Sequence, residues 1–142
     1  MVQQKGQHRV ATLLAADIVG FSTMMSTDEP ATTALVEEHH REVIGPAIRE
    51  HGGWLAKDTG NGFLAEFDSP AEAVRCAVAI QQSMLRRNLD RSLRIVHRIG
   101  ITVGETVGSS GNGVEVAMRR HARLSSAKSP KPGLAYRGPA KA

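Results

Sequence analysis

The stretch that most constrains the fold is residues 9–18, which read Arg-Val-Ala-Thr-Leu-Leu-Ala-Ala-Asp-Ile. The run is almost entirely apolar and carries one carboxylate, Asp17, near its end. A strand buried on both faces has this kind of uninterrupted apolar pattern, whereas a half-exposed strand alternates apolar and polar residues. The sequence therefore predicts a central strand of a covered sheet, with Asp17 where the strand leaves the core.

A long helix is predicted after the segment Gly20-Phe21-Ser22. Thr27 and Asp28 are suitable residues for its start, and Gly52-Gly53 ends it at about His51. Pro46 lies inside this helix and has no N–H to donate, so we expect a kink or a break there. A predicted apolar stripe on the helix has a spacing of four residues: Leu35, His39, Val43 and Ala47.

A hairpin and a second helix follow. Residues 54–57 and 63–67 are predicted strands joined by Gly60-Asn61-Gly62, whose residues suit a tight turn. Ser69 and Pro70 then provide an N-cap and a first helical residue for a helix that extends to about Asn88. A strand at 93–103 and a helix at about 114–124 complete the pattern.

The predicted fold class is α+β. The order β, helix, β-hairpin, helix, β, helix is that of a ferredoxin-like βαββαβ sandwich, an antiparallel sheet with its helices on one face and strand order 4-1-3-2. In this order the end of the first strand and the turn between the second and third strands emerge at the same edge. Asp17 and Asn61 are therefore expected to be neighbours.

Charge and length indicate one domain with a basic end. The chain has 142 residues and a net charge of +4, but four of its 18 basic residues and none of its 14 acidic residues lie after residue 126. We expect an N-terminal tail at 1–8, a domain at 9–126 and a disordered basic tail containing Pro and Gly at 127–142. The single cysteine, Cys76, excludes an internal disulfide and is expected to be buried.

Several functional classes are disfavoured by the same composition. No apolar run is long enough to cross a bilayer, and the N-terminus lacks the apolar segment of a secretory signal, so we expect a cytoplasmic protein without a membrane segment. The basic tail has no spaced aromatic residues, which argues against a specific nucleic-acid site. No Gly-x-Ser-x-Gly or Gly-Lys-Ser/Thr motif is present.

The residues around Asp17 and Asn61 allow two interpretations. A strand-end carboxylate beside a Gly-containing loop can hold Mg²⁺, and the loop N–H groups can hold phosphate oxygens. The loop in question is Ile18-Val19-Gly20-Phe21-Ser22. The alternative is a purely structural aspartate next to an ordinary turn, and the pattern alone leaves both open.

Four segments, in order, resemble the catalytic domain of the class III adenylate and guanylate cyclases. They are residues 13–22, residues 51–63, Arg98-Ile99-Gly100-Ile101-Thr102-Val103-Gly104, and residues 111–119. The resemblance covers about residues 8–126. It implies the ferredoxin-like fold above, with the final strands of the family domain missing, and an enzyme that converts ATP or GTP to a cyclic nucleotide and pyrophosphate.

The resemblance implies a site for two Mg²⁺ or Mn²⁺ ions. The first metal aspartate of the family matches Asp17, with the Ile18 carbonyl as a further ligand, and the second falls on Asn61. An amide oxygen can contact a cation but carries no negative charge, so we expect weaker metal binding. The loop residues Val19, Gly20, Phe21 and Ser22 are the implied contacts to the nucleotide.

The resemblance also assigns residues to the base, the ribose and the phosphates. Lys57 matches the lysine that reads the purine, although a solvated strand-end lysine is the plainer interpretation. The second base-reading residue falls near Gly108 in a loop that is about four residues short, which leaves ATP or GTP open. Glu115 stands at the family's ribose-orienting asparagine and Arg119 at its arginine, one helical turn apart on one face.

These departures leave two functional hypotheses. Family active sites lie between two subunits, so a cyclase would have to act as a homodimer or with a cyclase paralogue, and Asn61 and Glu115 imply impaired turnover. The alternative is a catalytically inactive cyclase-like module for binding or dimerisation.

Overall fold

The computed structural model describes residues 8–107, with side chains described for residues 10–104. The elements in chain order are β1 (His8–Ile18), α1 (Phe21–Thr27), α2 (Glu29–His39), a π-helical turn (His40–Ile44), α3 (Gly45–Glu50), β2 (Trp54–Asp58), β3 (Gly62–Phe67), α4 (Pro70–Asn88) and β4 (His97–Val107). The predicted helix at 114–124 and both predicted tails lie outside the described residues.

The four strands form one antiparallel sheet in the order β2-β3-β1-β4, which is the predicted order. β1 is hydrogen-bonded on both sides, to β3 and along its whole length to β4. The helices pack on one face of this sheet, and the principal core lies between the two layers. The α+β sandwich expected from the sequence is confirmed.

The two faces of β1 are both covered, as its apolar run predicts. Leu14, Ala16 and Ile18 belong to the large core beneath the helices. Leu13 is 3% exposed on the opposite face, where it forms a small cluster with Leu64. The alternation of side chains along a strand explains why neighbouring residues enter different clusters.

The helix predicted between Asp28 and His51 is interrupted by a change of hydrogen bonding rather than by a break. Pro46 cannot donate to the carbonyl four residues before it, and the helix widens into the π-helical turn immediately upstream. There the Gly45 N–H donates to the carbonyl of His40, five residues back. All four residues of the predicted stripe are buried: Leu35, His39, Val43 and Ala47.

Two local predictions need correction. A short helix, α1, precedes the predicted helix start, since Gly20 with φ 69° acts as its N-cap. The last described strand begins at His97, not at residue 93, because the Asn88 side chain donates to the Ile95 carbonyl and accepts from its N–H. On α4 the buried face includes Ala73 and Cys76, as expected for the cysteine, whereas Val74 is 50% exposed.

Gly62 is required by the close contact between β3 and β1. A Cβ atom at this position would lie 1.9 Å from the Ala16 carbonyl oxygen, a backbone atom that cannot move aside. Gly60, in the same hairpin, has φ 80° but no heavy atom within 4 Å of its hypothetical Cβ. The first glycine is needed for space and the second for backbone conformation.

We predict that Gly62→Ala destabilises the fold by more than about 3 kcal/mol, because the two central strands must separate. Gly60→Ala is the matched control and should cost only about 1–2 kcal/mol, the usual strain of a positive φ. Urea unfolding followed by circular dichroism measures both. Equal losses for the two variants would show that the β1–β3 contact is not the constraint.

Two buried histidines lack hydrogen-bond partners within the described part of the chain. Both ring nitrogens of His39 and the Nδ1 of His97 are buried without one. Burial is the main cause that lowers the pKa of His97 to about 4, and the neighbouring imidazoles of His39 and His40 lower it further when they are protonated. The pKa of His39 is lowered too, mainly by burial and secondly by Arg87. Both side chains are therefore neutral in the folded protein at pH 7.

We predict that acid weakens the fold through His97. Its folded-state pKa lies below the unfolded value near 6.5, so its contribution is complete above pH 6.5 and is lost as the pH falls towards 4. Between pH 8 and pH 5 the loss should be about 2 kcal/mol of unfolding free energy. Urea unfolding at both pH values checks this, with His97→Gln expected to lose about 2 kcal/mol less. Identical pH dependence in the two proteins would contradict the assignment.

Candidate functional site

The site is built at the end of β1, where three strands meet. In the sheet register Asp17 is opposite Gly62 of β3 on one side and opposite Arg98 of β4 on the other. Its side chain is 45% exposed, on the face of the sheet away from the helices. The carboxylate is thus held by the rigid centre of the sheet and is open to solvent.

Arg98 forms a two-point ion pair with Asp17. The Nε atom donates to Oδ1 at 2.8 Å, and one terminal nitrogen donates to Oδ2 at 3.0 Å. The hydrogen bond and the charge of Asp17 raise the pKa of Arg98. Arg98 lies in one of the family-like motifs, but the motif does not indicate its pairing with Asp17; the signal for it is the antiparallel pairing of β1 with β4, which places the two residues opposite each other.

The hairpin brings Asn61 beside the end of β1, as the topology predicts. The Asn61 carbonyl accepts a hydrogen bond of 2.8 Å from the Ile18 N–H. The side-chain oxygen of Asn61 accepts from the Thr59 hydroxyl at 3.2 Å. The backbone of Asn61 thus ties the two elements together, while its amide oxygen is engaged within the turn.

Some N–H groups of the loop after β1 are hydrogen-bonded to other backbone segments, and others have no acceptor within α1. The Ile18 N–H is used by Asn61, and the Val19 N–H donates to the Val96 carbonyl at 2.8 Å. The first N–H groups of α1, at Phe21 and Ser22, have no acceptor within the helix, because helix geometry provides none. Among the loop residues expected to contact a nucleotide, Val19 therefore has its N–H already occupied.

Lys57 reaches the same face of the sheet because of a bulge in β2. The pairing of β2 with β3 shifts between Leu55 and Lys57, so that Lys57 lies opposite Leu64. Leu64 belongs to the cluster on the face away from the helices. A bulge changes the direction of the side chains that follow it. The exposed Lys57 is consequently on the face that carries Asp17.

The oxygen ligands at this edge do not fit a pair of metal ions. Among residues 8–107, Asp17 is the one carboxylate at this edge, and Arg98 engages both of its oxygens. Asp58 is directed to the helical side, where it accepts from the Gly60 N–H and lies 3.7 Å from His40. Within residues 8–107 no group of three or more His, Cys, Asp or Glu residues is arranged to hold a metal ion.

A cavity of about 650 Å³ lies on the helical side of the sheet edge. It is bounded by α1, by α2 with the π-helical turn and α3 that continue it, and by β2. Phe21 and Gly60 line it and connect it to the two loops of the site. Asp17, Asn61, Lys57 and Arg98 are not among its lining residues. The cavity and the candidate site are therefore on opposite faces of the sheet.

Some expected site residues cannot be placed. Glu115 and Arg119, expected at the ribose and phosphates, lie outside the described residues, as does Gly108. Of the residues expected in the site, the structure groups Asp17, Ile18 and Asn61 at one edge, with Lys57 on the same face. In the described part of the chain, no helix has the length and apolar character needed to cross a membrane.

Comparison with known proteins gives a consistent result, although no protein-family model matches the chain. Putative adenylate cyclase 3 of Rhizobium meliloti is 39% identical over 125 residues, which is 84% of this chain and 21% of that protein. This chain thus spans about a fifth of the length of that curated relative.

Solved structures extend the comparison. The adenylate/guanylate cyclase/hydrolase from Silicibacter pomeroyi is 40% identical, with a TM-score of 0.68 over 83% of this chain and 72% of the other. The guanylate cyclase domain of RhGC from Catenaria anguillulae, solved in complex with GTP, shares the fold at 18% identity, with a TM-score of 0.61 and coverage of 82% and 74%. The sheet order and the 40% identity over most of both chains together show that this chain belongs to the class III adenylate/guanylate cyclase family.

Proposed function

We propose that this chain is a cyclase-homology domain that binds ATP or GTP and has little cyclase activity by itself. Support for nucleotide binding comes from family membership and from the position of Asp17 and Lys57 on one face of the sheet, with the loop 18–22 directly after the end of β1. The observation that carries the proposed impairment is that, among the described residues, Asp17 is the one carboxylate at this edge, since Asn61 stands where the resemblance puts a second aspartate.

The described residues suggest roles in holding the nucleotide. Lys57 is exposed on the open face, where its ammonium group can donate to a purine ring. The N–H groups of Phe21 and Ser22, which helix geometry leaves without an acceptor inside α1, can donate to phosphate oxygens near the end of β1. These contacts bind and orient a nucleotide but do not remove the proton from a ribose hydroxyl.

Turnover requires groups that the described residues do not provide together. A family cyclase uses Mg²⁺ or Mn²⁺ to activate the hydroxyl, and the ligands at this edge fit a metal pair poorly. Loss of one preorganised group commonly lowers turnover by about 10²–10³-fold. Glu115 would further oppose a polyphosphate by charge repulsion, so we propose that efficient catalysis needs a homodimer partner or an intact cyclase paralogue to contribute residues.

A catalytically inactive binding or dimerisation module is the second candidate. It is favoured by the state of the two key side chains, since Asp17 is paired with Arg98 and the Asn61 amide oxygen accepts from Thr59. Both groups are already satisfied by protein partners. A module of this kind would bind nucleotide without producing a cyclic product.

We predict that restoring the family residues restores activity. With Mn²⁺ and ATP or GTP, the wild-type chain should form cyclic nucleotide near the background rate. Asn61→Asp together with Glu115→Asn should raise the rate by at least about 100-fold, the size of effect associated with one preorganised group. Chromatographic detection of cyclic AMP or cyclic GMP measures this, with Asn61→Asp alone as the intermediate.

The controls separate the two candidates. Asp17→Ala in the restored background should abolish the gain, because it removes the remaining metal carboxylate. Robust wild-type turnover that Asp17→Ala abolishes would overturn the proposed impairment. A double variant that binds nucleotide but stays inactive would favour the binding module.

We also predict that Lys57→Ala lowers nucleotide affinity by about tenfold, as expected for the loss of one hydrogen bond from a charged donor. Arg94→Ala, which removes an exposed cation that has its Nε bonded to the Arg91 carbonyl, is the control and should leave the affinity nearly unchanged. Calorimetric titration with ATP and with GTP measures both variants. An unchanged affinity for Lys57→Ala would leave Lys57 as a solvated strand-end residue.

A further inference from the structure

In this protein the positive charge next to the Asp17 carboxylate is the side chain of Arg98. The guanidinium of Arg98 meets both carboxylate oxygens, at 2.8 and 3.0 Å, in the parallel geometry typical of strong arginine–carboxylate pairs. The two residues lie directly opposite each other in the β1–β4 register. The pairing is therefore set by two long strands of the central sheet and not by a loop that is free to rearrange.

A divalent ion and Arg98 compete for the same oxygens. A two-point guanidinium contact uses the lone pairs that face it on both oxygens, and a metal ion bound to that edge of the carboxylate needs the same lone pairs. A divalent charge a few ångströms from a guanidinium is also repelled by it. Binding of a metal ion at that edge of the Asp17 carboxylate therefore requires that Arg98 withdraw.

Among the described residues at this edge, no second negative group offsets the free energy that a metal ion must supply to displace Arg98. The position that would supply a second negative charge is Asn61, whose amide oxygen accepts from Thr59. The Asp17 and Arg98 side chains are 45% and 43% exposed, so solvent weakens their attraction without abolishing it. The balance between the metal ion and Arg98 is thus set by one carboxylate and one arginine.

We propose that Arg98 acts as an internal cation at Asp17 and that the Asp17–Arg98 ion pair and a divalent metal ion exclude each other. The ion pair keeps the metal-facing carboxylate neutralised, and the metal affinity of the chain is set by the displacement of Arg98. This inference rests on the proposed role of Asp17 as a metal ligand, but it concerns binding alone and does not require turnover.

Manganese binding without nucleotide tests the proposal directly. Electron paramagnetic resonance of free Mn²⁺ gives the dissociation constant for the wild type and for Arg98→Gln, which keeps hydrogen-bonding groups but removes the charge. Affinity should rise about tenfold in Arg98→Gln, because pairing and repulsion are both removed. Arg94→Gln removes an equivalent charge from the same segment without touching Asp17 and should change affinity less than about twofold.

Two outcomes of this titration overturn the proposal. An equal or weaker Mn²⁺ affinity in Arg98→Gln would show that Arg98 does not compete with the metal ion. Absence of Mn²⁺ binding by Arg98→Gln would show that releasing Asp17 does not create a metal site. Addition of Asp17→Asn to Arg98→Gln should return the affinity to the wild-type value or below, and a double variant that still binds tightly would place the ion elsewhere.

A measurement on the wild-type protein avoids dependence on the folding of variants. In a nitrogen–proton NMR spectrum, the Arg98 Nε–H signal reports its hydrogen bond to Oδ1 of Asp17. Titration with diamagnetic Mg²⁺ should shift this signal towards the position of a solvated arginine, with the Arg94 Nε–H signal as the internal reference. Saturation with Mg²⁺ that leaves the Arg98 signal unmoved would contradict mutual exclusion.

A different experiment tests the proposed function. A restored Asn61→Asp, Glu115→Asn protein that neither binds nucleotide nor forms product would refute nucleotide chemistry at this site. The manganese and NMR titrations contain no nucleotide, and their outcomes are therefore read independently of that result.

Discussion

The constraint on which the rest of the structure depends is the position of β1 in the middle of the sheet. β1 is bonded to β3 on one side and β4 on the other, and its side chains are buried on both faces. A strand surrounded in this way has little freedom to shift or rotate, because a slip of one residue would place core residues on the wrong face. Whatever residue ends this strand is held rigidly between its two neighbours.

The chemistry of the site follows from what these neighbours provide. β3 approaches through Gly62, which leaves no room for a side chain, and β4 places Arg98 against the carboxylate. The hairpin supplies a backbone carbonyl to Ile18 and the side-chain amide of Asn61, which we propose stands at the second metal position. Among the described residues, this edge therefore carries an Asp17–Arg98 ion pair rather than a free carboxylate.

The helical layer is stabilised by a different set of interactions. The π-helical turn accommodates Pro46 without breaking the helix, and ion pairs from Glu42 to Arg87 and from Glu38 to Arg91 link the long helix to α4 and the loop after it. The buried, neutral side chain of His39 lies in this layer, and that of His97 extends from β4. Since these features are on the opposite side of the sheet from Asp17, changes in the site residues can be studied with little effect on the helical core.

The sequence by itself determined the central strand, the sheet order, the hairpin and the neighbourhood of Asp17 and Asn61, because apolar period and turn residues are local signals. It also indicated the family through motifs at suitable intervals. Only the tertiary structure decided that Arg98 pairs with Asp17, that the Asn61 amide bonds to Thr59, and that a bulge turns Lys57 to the open face. These depend on strand register and side-chain contacts between residues far apart in the chain, to which local pattern is insensitive.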